Sequence, residues 1–135
     1  MGLLDKFHVY GKKRTGKIFI SITSYGLTFS KSCIESLSYA DYVHVLFEDD
    51  GVRMAVAPCN KDAEARTFVR DRNSPRAGFV RWNDRQLISH IIDLGGIELG
   101  SKGVRIDGEY VASDNVLLFD LRNYTPLKGK SDAKP

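Results

Sequence analysis

Residues 17–59 read KIFISITSYGLTFSKSCIESLSYADYVHVLFEDDGVRMAVAPC, and the spacing of their apolar side chains decides the fold. Ile18, Ile20 and Ile22 alternate with Phe19, Ser21 and Thr23, the period-two pattern of a half-buried strand. Tyr25-Gly26 breaks that pattern. A short helix is predicted from Ser30 as N-cap, with Phe29 before it and Ile34 after it spaced to form a hydrophobic staple. Ser32 and Glu35 offer a second capping register two residues later. Ile34 and Leu37 are assigned to the core. Tyr42–Glu48 then sets Val43, Val45 and Phe47 on one face and Tyr42, His44, Leu46 and Glu48 on the other. Asp49-Asp50-Gly51 supplies the positive φ of a tight hairpin turn, and Val52–Pro58 returns with Val52, Met54 and Val56 inward.

Outward from this unit the signals thin. On the N-terminal side, Phe7 and Val9 alternate with His8 and Tyr10 as a short strand. Gly11–Gly16 reads as a hairpin loop whose tip is crowded by Lys12, Lys13, Arg14 and, just beyond it, Lys17. On the C-terminal side, Ala63–Val69 fits either one helical turn or a short strand, and Asp71–Pro75 is a loop. Phe79, Val80 and Trp82 predict another strand. Asn83 is then the expected N-cap, with Gln86 at N3 and Trp82 stapled onto Leu87. Leu87, Ile88, Ile91, Ile92 and Leu94 form a stripe at helical spacing that Gly95-Gly96 ends, which makes this the longer helix. Gly103–Ile106 and Glu109–Ala112 flank Asp107-Gly108 as a second hairpin, and Asn115–Leu121 is a buried strand. Residues 125–135, rich in Lys, Pro, Gly and Ser, are expected to be a disordered tail.

These readings combine into one α+β domain over residues 1–124. It is a mostly antiparallel sheet or small barrel of six to eight strands, with one long and one short helix. Residues 17–59 and 78–121 can be laid over one another, aromatic before cap and aliphatic five residues on, as half-repeats of an internal duplication.

The composition excludes several classes. With 42% apolar and 27% charged residues, the 135-residue chain resembles an ordinary globular domain able to bury a core without staples. No apolar run is long enough to span a bilayer. MGLLDKF lacks the layout of a signal peptide, and Lys6 replaces the Ser or Thr of a myristoylation site. A cytoplasmic protein with no membrane contact is therefore expected. Cys33 and Cys59 are read as unpaired packing residues, without zinc spacing.

Chemistry-bearing patterns are sparse. His8, His44 and His90 fall on two strands and a helix, in neither a metal pair nor a nucleophile motif. Asp49 and Asp50 are turn residues before they are cation ligands. No phosphate loop or dinucleotide fingerprint occurs, so no cofactor is expected and an enzyme is disfavoured.

Charge distribution says more than the net value of +3. Residues 1–20 carry five basic groups against Asp5, and residues 61–85 carry seven against four, six of them arginines: Arg66, Arg70, Arg72, Arg76, Arg81 and Arg85. Arginine's planar fork suits phosphate oxygens, and Tyr10, Tyr25 and Trp82 lie near these segments as bases could stack on them. A DNA or RNA partner is the leading expectation. It would be held by Lys12, Lys13, Arg14, Lys17 and Lys31 together with Arg70, Arg72, Arg76, Arg81 and Arg85.

Residues 18–58, with strand IFISIT, helix SKSCIESL, strand YVHVLFE, turn DDG and strand VRMAVAP, resemble AbrB-type DNA-binding domains of bacterial transcription factors. That family places a Leu-Gly-x-x-x-Gly-Asp-x-Val junction after the helix. Here the junction is Leu37-Ser38-Tyr39-Ala40-Asp41-Tyr42-Val43, with neither glycine present. The resemblance implies a swapped-hairpin β-barrel, built as a homodimer in the family, with DNA contacts from Arg14, Lys17 and Lys31. With a duplication, residues 78–121 would supply the second half within one chain. The alternative reading is a protein-interaction module, akin to small accessory proteins of bacteria and phages, docking an acidic partner through loop 60–77 and the lysine tail.

Overall fold

Alternation at positions 18–22 does produce a strand, because each second side chain finds a dry face. In the computed structural model, which describes residues 17–49 and 51–127, β1 spans Phe19–Ile22 with Ile20 and Ile22 fully buried. It is followed by β2 (Leu27–Phe29), α1 (Lys31–Ser36), β3 (Tyr42–Phe47), β4 (Arg53–Pro58) and β5 (Arg66–Thr67). Then come β6 (Val80–Trp82), α2 (Arg85–Gly95), β7 (Val104–Val111) and β8 (Val116–Pro126). The expected strand at 7–10, the basic loop at 11–16 and Asp50 lie outside the described residues.

All eight strands form one antiparallel sheet in the order β5-β3-β4-β8-β7-β1-β2-β6. The sheet curls into a half-barrel around a single core. Inward side chains such as Ile20, Val43, Val56, Ile106 and Phe119 meet Ile34 of α1 and Ile91 of α2 there. The mostly antiparallel α+β architecture is thus as expected, but the long helix is not: α2 has eleven residues, three turns, and is only the longer of two short helices.

Four local readings need correction. Leu27–Phe29, passed over as the end of a turn, is β2. Three residues are too few to show a period, and its partners β1 and β6 are what extend it. The N-cap of α2 is Asp84, whose carboxylate accepts from the Leu87 amide at 3.1 Å, so Asn83 sits one place outside the helix. Asp107-Gly108 is not a turn, because β7 runs straight through it. The chain reverses instead at Ala112–Asn115, where Asn115 takes a left-handed φ of 55°. Gly108 marks a bulge between the Ile106–Tyr124 and Gly108–Phe119 pairings. A side chain there would strike the Phe119 ring and the Leu118 carbonyl, so the glycine serves close approach rather than reversal. Finally, Thr125 and Pro126 are the end of β8, with Leu127 N–H bonded to the Gly103 carbonyl at 2.9 Å. Residues 125–127 therefore belong to the fold rather than to the expected tail.

The order of elements runs twice through the chain. β1-β2-α1-β3-β4 is followed by β5-β6-α2-β7-β8. In the sheet β4 lies beside β8 and β2 beside β6, while β1 pairs with β7 and β3 with β5. Each run's closing hairpin is thereby bonded to the other run's first strand. Phe29 and Trp82, which precede α1 and α2, pack edge to face at 4.9 Å. The second run begins at Arg66, ahead of residue 78 where the sequence pattern restarts. One link has no counterpart: β1 and β2 share a ladder, whereas β5 and β6 do not.

Candidate nucleic-acid interface

The missing ladder leaves a seam between the two edges of the sheet. Residues 68–79 connect β5 to β6 where a four-residue turn, Thr23–Gly26, connects β1 to β2. Side chains hold the seam together. Trp82 Nε1 donates to the Thr67 carbonyl at 3.0 Å, and Arg66 Nη1 lies 2.7 Å from Asp84 Oδ2. Phe29, Phe68 and Trp82 pack edge to face beneath it, with the Arg66 guanidinium 5.3 Å over the Trp82 ring.

Along this seam lies a cleft of about 790 Å³ whose walls carry Arg66, Arg70, Arg76 and Arg81 against Asp71 and Asp84. Four arginines thus face two carboxylates, and of the two only Asp84 is in an ion pair among the described residues. Asp84 caps α2 and pairs with Arg66, so its carboxyl is held below the usual range, chiefly by the Leu87 amide and then by Arg66. Asp71 accepts from the Asn73 amide at 3.0 Å. Arg70 makes no ion pair among the described residues. Arg76 rests its guanidinium 5.0 Å over Phe79, and Arg81 is steadied only by Asn83 Oδ1 at 3.1 Å. The cleft consequently has positive charge to spare.

A second recess of about 570 Å³ adjoins the first and shares Ser74, Arg76, Ala77 and Phe79 with it; Lys31, Tyr39 and Arg72 complete its walls. Arg72 lies 3.5 Å from Asp41. Of the expected contact residues, the fold therefore brings together Lys31, Arg70, Arg72, Arg76 and Arg81 around loop 68–79. Arg85, at the start of α2, and Lys17, before β1, are exposed but line neither recess. Lys12, Lys13 and Arg14 lie outside the described residues. Trp82 is half-buried, its ring packed against Phe29 and Phe68 with the Arg66 guanidinium over it, which leaves less of it open to stacking. Phe79, half exposed at the mouth of both recesses, is the aromatic that sequence reading passed over. A large apolar residue beside a glycine in an arginine-rich loop was its only signal.

The other chemical groups lie elsewhere. His44 Nε2 sits 2.8 Å from Asp62 Oδ2, and that contact holds the Asp62 carboxyl below its usual range. His90 packs edge to face on Phe47 at 4.6 Å. Burial pushes the Cys33 thiol up, and partial desolvation with Asp62 nearby pushes Cys59 up, so neither is an activated thiolate. Among the described residues no cluster of His, Cys, Asp or Glu is placed to hold a metal ion, and no helix is long and apolar enough to cross a membrane.

No protein-family model, no curated protein and no solved structure matches this chain to a significant level.

Proposed function

We propose that the protein is a non-enzymatic nucleic-acid-binding protein of the cytoplasm, with the arginine cleft between β5 and β6 as its contact surface. The observation that carries the proposal is the uncompensated charge of that cleft. Arg70, Arg76 and Arg81 converge on one concavity whose four arginines outnumber its two carboxylates, one of which, Asp84, is paired with Arg66. Binding phosphate there releases counterions and needs no prior ion pair to break. The cleft also lies at the one place where the doubled order of elements is interrupted, on a loop longer than its counterpart, and binding groups concentrate on such loops.

The interleaved pairing of β1 with β7 and of β3 with β5 supports a swapped-hairpin frame of the AbrB type, held within one chain. So does the backbone after α1. Ser38 stands where that family's junction has its first glycine, and it adopts a glycine-like φ of 56°. A DNA-binding regulatory role fits this frame, with both runs of the half-barrel supplied by one chain.

Titration of oligonucleotides at low salt tests the proposal. Affinity should fall steeply with added salt. Replacing Arg70, Arg76 and Arg81 together with Ala should weaken binding and flatten the log–log salt slope by about 2. Absence of binding at low salt to any single-stranded or duplex form would reject the proposal.

A further inference from the structure

Resting on that reading, we infer that the cleft takes unpaired nucleotides, as single-stranded DNA or RNA, and that Phe79 is its base-stacking platform. The shape comes first. A protein that reads a duplex inserts a convex element into a groove about 12 Å wide. Here Arg70, Arg76 and Arg81 line a recess rather than a projecting element, a shape that suits a flexible single strand better than a rigid duplex.

The aromatics come second. Of the three large apolar side chains exposed among the described residues, Tyr25 at 71% and Leu46 and Phe79 at 48% each, Phe79 lines the cleft together with Arg81. Phe79 immediately precedes β6, two residues before Arg81, and both are exposed. The Arg81 guanidinium reaches across to the β1–β2 turn. A β-carbon on Gly26 would lie 2.6 Å from its Nε and 2.9 Å from Asn83 Oδ1, which sets Tyr25 beside the far end of β6. About 13 Å of strand separates Phe79 from Asn83, room for roughly four stacked nucleotides. Arg76 covers one face of the Phe79 ring, so a base would stack on the remaining exposed part of that ring while phosphates meet Arg76 and Arg81. Stacking tolerates any base, so little sequence preference is expected.

The experiment is fluorescence anisotropy on the full chain with labelled single-stranded DNA and RNA of about a dozen nucleotides, and with the matching duplex. Single strands should bind at least tenfold tighter than duplex. Phe79→Ala should raise Kd for single strands by about fivefold to a hundredfold, the range of one lost base stack. Phe79→Tyr should retain most of the affinity, and urea titration should show each variant folded, since the ring is half exposed. Equal or tighter duplex binding, or an unaffected Phe79→Ala beside a weakened Arg81→Ala, would overturn this inference and leave the nucleic-acid reading standing. Failure of every oligonucleotide to bind would overturn both.

Discussion

Asp84 does two jobs with one carboxylate. It caps α2 through the Leu87 amide, and it holds Arg66 across the seam. The two roles separate by substitution. Asp84→Asn keeps a good capping side chain and loses the ion pair, so it should cost well under 1 kcal/mol, as exposed pairs do. Asp84→Ala loses the cap as well and should cost about 1–2 kcal/mol in urea unfolding. The sign with pH follows from the depressed carboxyl. Its contribution to stability is fully present above the unfolded value of about 3.9. That contribution disappears as pH falls through the lower, folded value. Unfolding midpoints measured from pH 6 downward should therefore converge for wild type and Asp84→Asn only in strong acid. An acid-independent gap between them would contradict the assignment.

At the scale of one element, α1 ends in a way its sequence does not favour. The Tyr39 amide bonds back to the Ile34 carbonyl and the Ser38 amide to the Glu35 carbonyl, both at 3.0 Å. That is the double bond of a Schellman ending, which wants glycine at the first residue past the cap. Ser38 and Tyr39 instead hold φ of 56° and 55°, at about 1–2 kcal/mol each for a residue with a β-carbon. The surrounding structure sustains this: Leu37 is buried, and the amides of Phe68 and Val69 bond to the carbonyls of Asp41 and Ala40. Ser38→Gly should consequently stabilise the protein by up to about 1 kcal/mol, the strain relief being partly offset by the entropy of a freer unfolded chain. A loss of stability in urea unfolding would mean that the Ser38 side chain does something the backbone geometry does not require.

At the scale of the molecule, the half-barrel is latched rather than closed. Six inner strands share full ladders, whereas β5 and β6 meet through Trp82, Arg66 and Asp84 alone. Trp82→Phe keeps the packed ring and removes the hydrogen bond to Thr67. It should destabilise the fold by about 1 kcal/mol. In hydrogen exchange the amides of Phe68 and Val69 should lose protection, while those of β4 and β8 keep theirs. Uniform loss across the sheet would show the latch to be part of the global fold instead. Within loop 68–79, Phe68 and Val69 belong to the core, whereas residues 70–79 are exposed or half-buried.

Elements that carry their own signal were legible along the chain. Alternation at 18–22 and 42–47, the Ile34/Leu37 and Leu87/Ile91 stripes, and the stop at Gly95-Gly96 depend on local spacing, which neighbours do not change. The basic character of residues 61–85 was equally legible, since charge is a property of composition. Features that depend on partners distant in the chain emerged only on packing. β2 and β5 are too short to declare themselves and exist through their ladders. Asp107-Gly108 has the chemistry of a turn, but Phe119 needs the space that Gly108 leaves, so β7 continues through it. Trp82 looked like a free aromatic and became a latch, while Phe79 stayed outside. Which arginines face one another was set by the seam between β5 and β6, because convergence in space follows from how the sheet curls and no spacing along the chain encodes it.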